Sequence, residues 1–502
     1  VLVLAEKYTP LAVEILKEAV RICEDFLEED PLCGLSNHEG PRLGYLRKMI
    51  VEHKAVENEQ DCFFDDFGNL VWTVTDKDDP TPANEKKVVY FDGHTDTVKA
   101  LRESWQSKAG EGLDAYKGLI DKSKVNVAFL QKELGYLPPE DEWDHLVFGR
   151  GSADQLAGVV DTIIATKIML ELRHLGSLRG VIIRSYGTVC EEDNDGAGPL
   201  YLTHKVFPGA EPNVLPDVVV HTEGTGDRHS SPLGIYRGQR GRVQVLVEVT
   251  GKSSHGSMPW EGRNPLEWGA RIITEATDQY QRMDGFSDDP FLSAGSRTAS
   301  WSVLDTPSDC AVPEKFAFRF DRRLTLGETP DHAVSQIANL EGVTAARNAG
   351  LDVDISIPIY NEESWRGLAL HNKQQYLGWM TPENHKAIRA AEQTYRQTIG
   401  RSVAGEKAAA QPPTWAKEPR TARWVFSTDG VGFPVPVDSD ISVPKTKDWV
   451  TAGTYHYPAM FGLGAGYEHN THKVGECVDS REMRRAIAFY TRFPSVFAAH
   501  KD

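Results

Sequence analysis

The sequence predicts an α/β fold: a mixed-sheet larger domain with a smaller α+β module inserted into it. Three observations predict this. Four short apolar runs, NLVWTV (69–74), KKVVYF (86–91), VIIRSY (181–186) and PDVVVH (216–221), do not alternate with polar residues, as expected of strands buried on both faces. Between two of them, LAGVVDTIIATKIMLELR (156–173) reads as a helix, so strand and helix alternate along the chain. Two later stretches do alternate. GRVQVLVEVT (241–250) places Val243, then Val245 or Leu246, Val247 and Val249 among polar residues, and KFAFRFDRR (315–323) places Phe316, Phe318 and Phe320. A period of two marks half-exposed antiparallel strands.

The elements follow in order. Thr9-Pro10 has the form of a helix start, Thr9 as cap and Pro10 at the first helical position. Leu11, Ile15, Ala19, Ile22 and Phe26 then recur at helical spacing. NPLEWGARIITEATDQYQRM (264–283) reads as a helix between the two alternating strands. The inserted module is therefore placed at 234–357, with 1–233 and 358–502 forming the larger domain. Two segments, 101–145 and 401–420, are rich in charge or in Ala and Pro and read as surface additions.

Bulk properties exclude several classes of protein. At 502 residues the chain is too long for one ordinary core. With 55 Lys+Arg against 73 Asp+Glu, the net charge is −18, which argues against a nucleic-acid or anionic-membrane partner. Six cysteines, Cys23, Cys33, Cys62, Cys190, Cys310 and Cys477, are scattered without a CxxC pair, so neither a thiolate zinc site nor a disulfide framework is expected. That usage fits a reducing cytoplasm. Charge at Glu6 ends the opening apolar run, which is not the pattern of a signal peptide. No stretch approaches the roughly 20 apolar residues of a membrane helix.

The polar residues fall where those strands end. His94 and Asp96 follow KKVVYF, in DGHTDT. Asp154 ends GRGSAD just before a helix. Glu191 and Glu192 follow VIIRSYGTV, and Glu223 follows PDVVV. His472 lies in GLGAGYEHNTHKVGE, late in the chain. In an open α/β sheet the carboxyl ends of the strands form the ligand crevice, so these groups are expected to converge. Imidazoles with hard carboxylates and no thiolates fit zinc, manganese or cobalt. Neighbouring buried carboxylates repel, and bound divalent ions would reverse that penalty at Glu191 and Glu192.

HTD (94–96), GRGSAD (149–154), EE (191–192), EGT (223–225) and GAGYEHNTHKVGE (464–476) occur in this order. Together they resemble the metallopeptidase family that includes carboxypeptidase G, acetylornithine deacetylase, succinyl-diaminopimelate desuccinylase and the aminoacylases. The wording around DRRLTLGET (321–329) and WVFSTDG (424–430) is most similar to its selenium-metabolism hydrolase branch. The resemblance implies a site for two divalent ions. His94 and Glu223 would hold one ion, Glu192 and His472 the other, with Asp154 bridging. Two ions sharing a water molecule acidify it. Glu191 would be the general base, and Asp96 would fix the tautomer of His94 from behind. The inserted module would be a lid and dimerisation domain. Its GKSSHGSMPWEGRNP (251–265) resembles the segment whose histidine, here His255, stabilises the oxyanion and in dimeric members comes from the partner subunit. Loss of an oxyanion donor typically costs ~10²–10³ in rate. Arg322 or Arg323, at the end of an alternating strand, could grip a substrate carboxylate; a plain solvated strand end is an equal alternative.

His469 lies three residues before His472, but Glu476 stands four residues after His472 as in the family pattern, which selects His472. His221 reads as structural. The chain departs from the family in having DQLAG (154–158) where many members carry a lysine, and Cys310-Ala311-Val312-Pro313 where many have Asn-x-Val-Pro. Substrate identity is therefore open. The implied activity is a metal-dependent amidohydrolase, homodimeric and cytoplasmic, acting on a small N-acyl amino acid or short peptide. The alternatives are hydrolysis of another C–N or ester bond in a small metabolite, and a catalytically silent metal-binding scaffold.

Overall fold

The computed structural model describes residues 1–22, 37–227, 232–401 and 417–500. Phe26, Cys23, Cys33 and most of the 401–420 segment lie outside them. Four parallel strands form the centre of a nine-stranded sheet, in the spatial order Val181–Thr188, Lys87–His94, Val218–His221, Ala459–Gly462. Leu70–Thr75 and Cys62–Phe64 extend one side antiparallel. Ile235–Gln239, Trp379–Met380 and Thr421–Trp424 complete the other.

The unalternating runs are buried on both faces. Val88 and Tyr90 point into one core, Val89 and Phe91 into the other, as successive side chains of a strand must. The helices Ala157–Glu171 and Ser480–Ala499 contribute to both cores. The N-terminal helix runs Leu2–Arg21, so Pro10 lies inside it and Thr9 does not cap it. Thr9 Oγ1 instead donates to the Ala5 carbonyl at 2.7 Å. A proline inside a helix costs about 3 kcal/mol. Burial of Ala5, Ala12, Ile15, Leu16 and Ala19 offsets that cost.

A five-stranded antiparallel sheet stands apart in the chain's middle. Its order is Ser296–Asp305, Lys315–Leu324, Gly241–Thr250, Asp352–Ser356, with Gln375–Tyr376 also on Gly241–Thr250. Val243, Val245, Val247 and Val249 pack with Phe316, Phe318 and Phe320 beneath Pro265–Gln281 and the shorter helices Pro330–Ala338 and Glu341–Asn348. The predicted alternation is thus observed.

The 101–145 segment is more than a surface decoration. Trp105, Leu113, Leu130 and Trp143 are buried in a small core of their own. Charge and helix formers dominate its sequence, and that composition conceals the few large apolar groups that fold it. Among the described residues no helix is long and apolar enough to cross a membrane.

Candidate metal centre

The four central strands run parallel, so their carboxyl ends open on one edge of the sheet. His94 is the last residue of its strand. Glu191 and Glu192 open a short helix just beyond Thr188, Glu223 follows His221, and the loop to His472 leaves from Gly462. Asp154 joins them from the kinked turn before Ala157–Glu171, where the Asp154–Gln155 peptide is cis.

These groups meet. His94 Nε2 lies 3.0 Å from Asp154 Oδ1, 3.5 Å from Glu223 Oε2 and 3.7 Å from Glu191 Oε2. His472 Nε2 lies 3.0 Å from Asp154 Oδ2 and 3.1 Å from Glu192 Oε2. One donor atom each from His94, Asp154 and Glu192 lies within 4.8 Å of the others. Asp96 is fully buried behind them. Its Oδ1 accepts the Glu191 N–H at 3.2 Å and its Oδ2 the Glu192 N–H at 2.9 Å, while Oδ1 stands 3.4 Å from His94 Nδ1. Glu476 ties two ligand loops together. Its Oε1 accepts the N–H groups of Gly151, Ala153 and Asp154 at 3.0, 3.1 and 3.1 Å, and Arg150 pairs with its other oxygen.

The donor set fits divalent cations. Burial, then the charge of Asp154, pushes Glu192 up to about 7 and Glu223 up to about 8. Burial also raises Glu191 well above the usual carboxylate range, with Glu192 adding to it against the opposing pull of His94. Burial opposes protonation of His472, yet hydrogen bonds to Asp154 and Glu192 raise it to about 11. The carboxylates thus draw protons onto themselves and onto the imidazoles to relieve their mutual repulsion. Bound cations provide that relief without protons. Imidazole nitrogens and carboxylate oxygens are the donors that zinc and its neighbours take.

The cleft over this cluster measures about 400 Å³. Asp195, Arg242, Arg323, Ser427, Thr428 and Glu468 line it beside the predicted ligands. Arg323 lines the cleft. Its Nε donates to Asp321 Oδ1 at 2.7 Å and its Nη1 to Ser427 Oγ at 2.8 Å. Arg322 does not reach the cleft. It is buried in the five-stranded module, paired with Glu328 at 2.6 Å and stacked on Phe286. Sequence reasoning missed Arg242, which pairs with Asp195 at 2.9 Å and Asp321 at 3.2 Å. Its register opposite Arg323 is the signal that points to it. His255 is exposed on the Ser254–His255 strand, hydrogen-bonded to Ser257, and does not line the cleft of its own chain. His221 bonds Asp92 at 3.0 Å, and burial holds it down at about 3, which suits its structural reading. His469 is exposed and is not in the cluster.

Comparison with known proteins gives the family. Residues 237–345 match the peptidase dimerisation domain of the M20 family. An uncharacterized protein, YgeY, of Escherichia coli strain K12 is 31% identical over 353 residues, covering 70% of this chain and 73% of that protein. The chain belongs to the M20 metallopeptidase family. A probable succinyl-diaminopimelate desuccinylase of Staphylococcus aureus strain MRSA252 is 28% identical over 145 residues, 28% of this chain and 31% of that one. An M20 family metallo-carboxypeptidase of Sulfolobus solfataricus shares the fold at a TM-score of 0.60 and 14% identity, over 97% of this chain and 99% of that one. As an M20 protein the chain is a hydrolase that uses divalent metal ions.

Proposed function

We propose that this M20 hydrolase cleaves the amide bond of a small N-acyl amino acid or short peptide carrying a free carboxylate. One observation carries the reading: the two oxygens of Asp154 face His94 and His472, each at 3.0 Å, with Glu191 beside them. His94 and Glu223 would hold one divalent ion and Glu192 and His472 a second, with Asp154 between; zinc suits the donors best, and manganese or cobalt also fit. When bound, the ions polarise the scissile carbonyl and acidify the attacking water.

The chain's own groups do the rest. Glu191 takes a proton from the attacking water on its carboxylate and delivers it to the leaving nitrogen. Asp96 fixes the direction of Glu191 by holding its N–H and that of Glu192. Arg323 and Arg242 offer the cleft guanidinium groups for a substrate carboxylate. His255 donates to the oxyanion from a partner subunit. The module at 234–357 is the lid and dimerisation unit; the match over 237–345 and its separate core support that. Ser296–Asp305 forms the end of its sheet and exposes Trp301, Val303 and Leu304, an edge suited to a second copy.

The test is a panel of dipeptides and N-acyl amino acids offered to metal-loaded protein, with released amine followed by mass spectrometry. Cleavage is expected. Inertness toward the whole panel, with turnover of another metabolite, would shift the reading to a different C–N or ester bond. Inertness toward every compound with metal bound would favour a scaffold.

A further inference from the structure

The loop carrying His472 is gripped from outside the cleft by the 101–145 segment together with the Leu146–Phe148 strand that follows it, residues 101–148. That segment is anchored to the chain beyond the loop: its Leu146–Phe148 strand pairs antiparallel with Cys477–Asp479, and Cys477 joins its core. On the near side of His472, the Asn470 side chain is buried. Its Oδ1 accepts the N–H groups of Gly135 at 2.8 Å and Tyr136 at 3.2 Å, and its Nδ2 donates to the Tyr136 carbonyl at 2.8 Å. Shielded from water, such bonds are costly to break. On the far side, Lys473 Nζ donates to the Glu133 carbonyl at 2.8 Å. Glu133 ends the Val127–Glu133 helix, where unsatisfied carbonyls favour a cation. The two backbones approach closely. A Cβ on Gly135 would stand 2.1 Å from Cβ of His469.

His472 needs such support. Its φ is 60°, a left-handed conformation that a side chain bearing Cβ holds only when its surroundings fix it. Its side chain is 50% exposed, so little packing restrains it. His94, by contrast, ends a strand paired on both sides, and nothing in the 101–148 segment holds it by a described hydrogen bond.

We propose that the 101–148 segment positions His472, through Asn470 and Lys473, and with it the half of the site formed by His472 and Glu192. The His94–Glu223 half is independent of that grip. This inference rests on the two-ion reading above. Asn470 and Lys473 are positioning residues: they act on the site only through His472.

The experiment is a cobalt(II) titration of the metal-free full chain, read by visible absorption and calorimetry, for wild type, Asn470→Ala and Lys473→Met. Thermal unfolding reports whether each variant is folded. Wild type is expected to bind two equivalents. In the variants the first should bind as in wild type, and the second about 10–100-fold more weakly, the usual consequence of losing support behind a ligand. Hydrolysis by the variants should recover kcat as cobalt is raised, with KM unchanged. Wild-type titration of both equivalents in folded variants would overturn the inference. Equal weakening of both equivalents would also overturn it, since the segment would then be a general stabiliser. A single equivalent in wild type would defeat the two-ion reading itself, and the inference with it. Lys473→Met removes one bond at a half-buried site and decides the matter should Asn470→Ala not fold.

Discussion

His472 Nε2 stands 3.0 Å from Oδ2 of Asp154, while Oδ1 of the same carboxylate stands 3.0 Å from Nε2 of His94. One carboxylate thus divides the cluster into two halves, and each half gains a further carboxylate, Glu223 or Glu192. Glu191 lies 3.7 Å from His94; under the proposed two-ion assignment it is left over once each half has its carboxylate. That leftover position is what a proton carrier needs.

Glu191→Gln should therefore separate chemistry from metal binding. The amide keeps the shape of the side chain but cannot take a proton from water. The loss of kcat is expected to be at least about 10²–10⁴-fold, with metal content by elemental analysis equal to wild type. A variant that hydrolyses as well as wild type would remove Glu191 from the role.

Asp96→Ala should act differently. It removes the acceptor for the N–H groups of both Glu191 and Glu192 and the carboxylate beside His94. Metal affinity should fall about 10–100-fold, and excess metal should restore part of the activity. Competition with a chromophoric chelator measures it.

The two adjacent arginines should part company. Arg322 is buried against Glu328, so Arg322→Met leaves an unpaired buried carboxylate and should cost about 3–5 kcal/mol in denaturant unfolding. Arg323→Met, at the cleft, should raise KM for carboxylate-bearing substrates while unfolding changes by less than about 1 kcal/mol. A KM effect from Arg322→Met without loss of stability would contradict the structure.

Much of this was legible before the structure, for physical reasons. A candidate site residue at a strand's carboxyl end is announced by the apolar run before it, and His94, Glu191, Glu192 and Glu223 all follow such runs. Arg322 was also legible in principle. The alternation through Phe316, Phe318 and Phe320 continues to Arg322, which lies inward opposite Val243, while Arg323 lies outward opposite Arg242. Arg242 and Asp195 were not legible as a pair. Their contact depends on how the inserted sheet meets the turn after Glu192, and no local period reports that. The helix start was misread because Thr-Pro fits a cap locally, whereas the helix around it is held by distant packing against Ala157–Glu171 and Ser480–Ala499.

Glu39 gives a pH-dependent stability from behind the cluster, on the far side of Asp96. It is fully buried, and Oε1 accepts the N–H groups of Asn37 and Cys190, each at 3.0 Å. Burial, then the charge of Asp96, raises its carboxyl from 4.5 to about 8. The folded chain therefore keeps a proton that the unfolded chain releases above about 4.5. Stability from this group is fully present below that value and is lost as pH rises through about 8. The slope approaches about 1.4 kcal/mol per pH unit between those limits. Glu39→Gln should flatten this part of the unfolding profile relative to wild type between about pH 5 and 8. Parallel profiles would exclude the assignment.

Metal removal should expose the repulsion stored in the site. Without cations, Glu192 and Glu223 are raised by burial and by Asp154, so the folded chain bears a cost that the unfolded chain escapes. Ions bound only by the folded state add about 2.7 kcal/mol when free metal is 100 times Kd. Chelation should therefore lower Tm, and zinc should restore it in proportion to the logarithm of its free concentration. The direction reverses for a Glu192→Gln, Glu223→Gln double variant in the absence of metal. Two neutral amides relieve the repulsion, so the metal-free variant should melt above metal-free wild type and gain little from zinc. Calorimetric scans of the four samples decide it: a metal-free wild type that melts with the zinc-loaded protein would mean that the carboxylates are not held apart by cations at all.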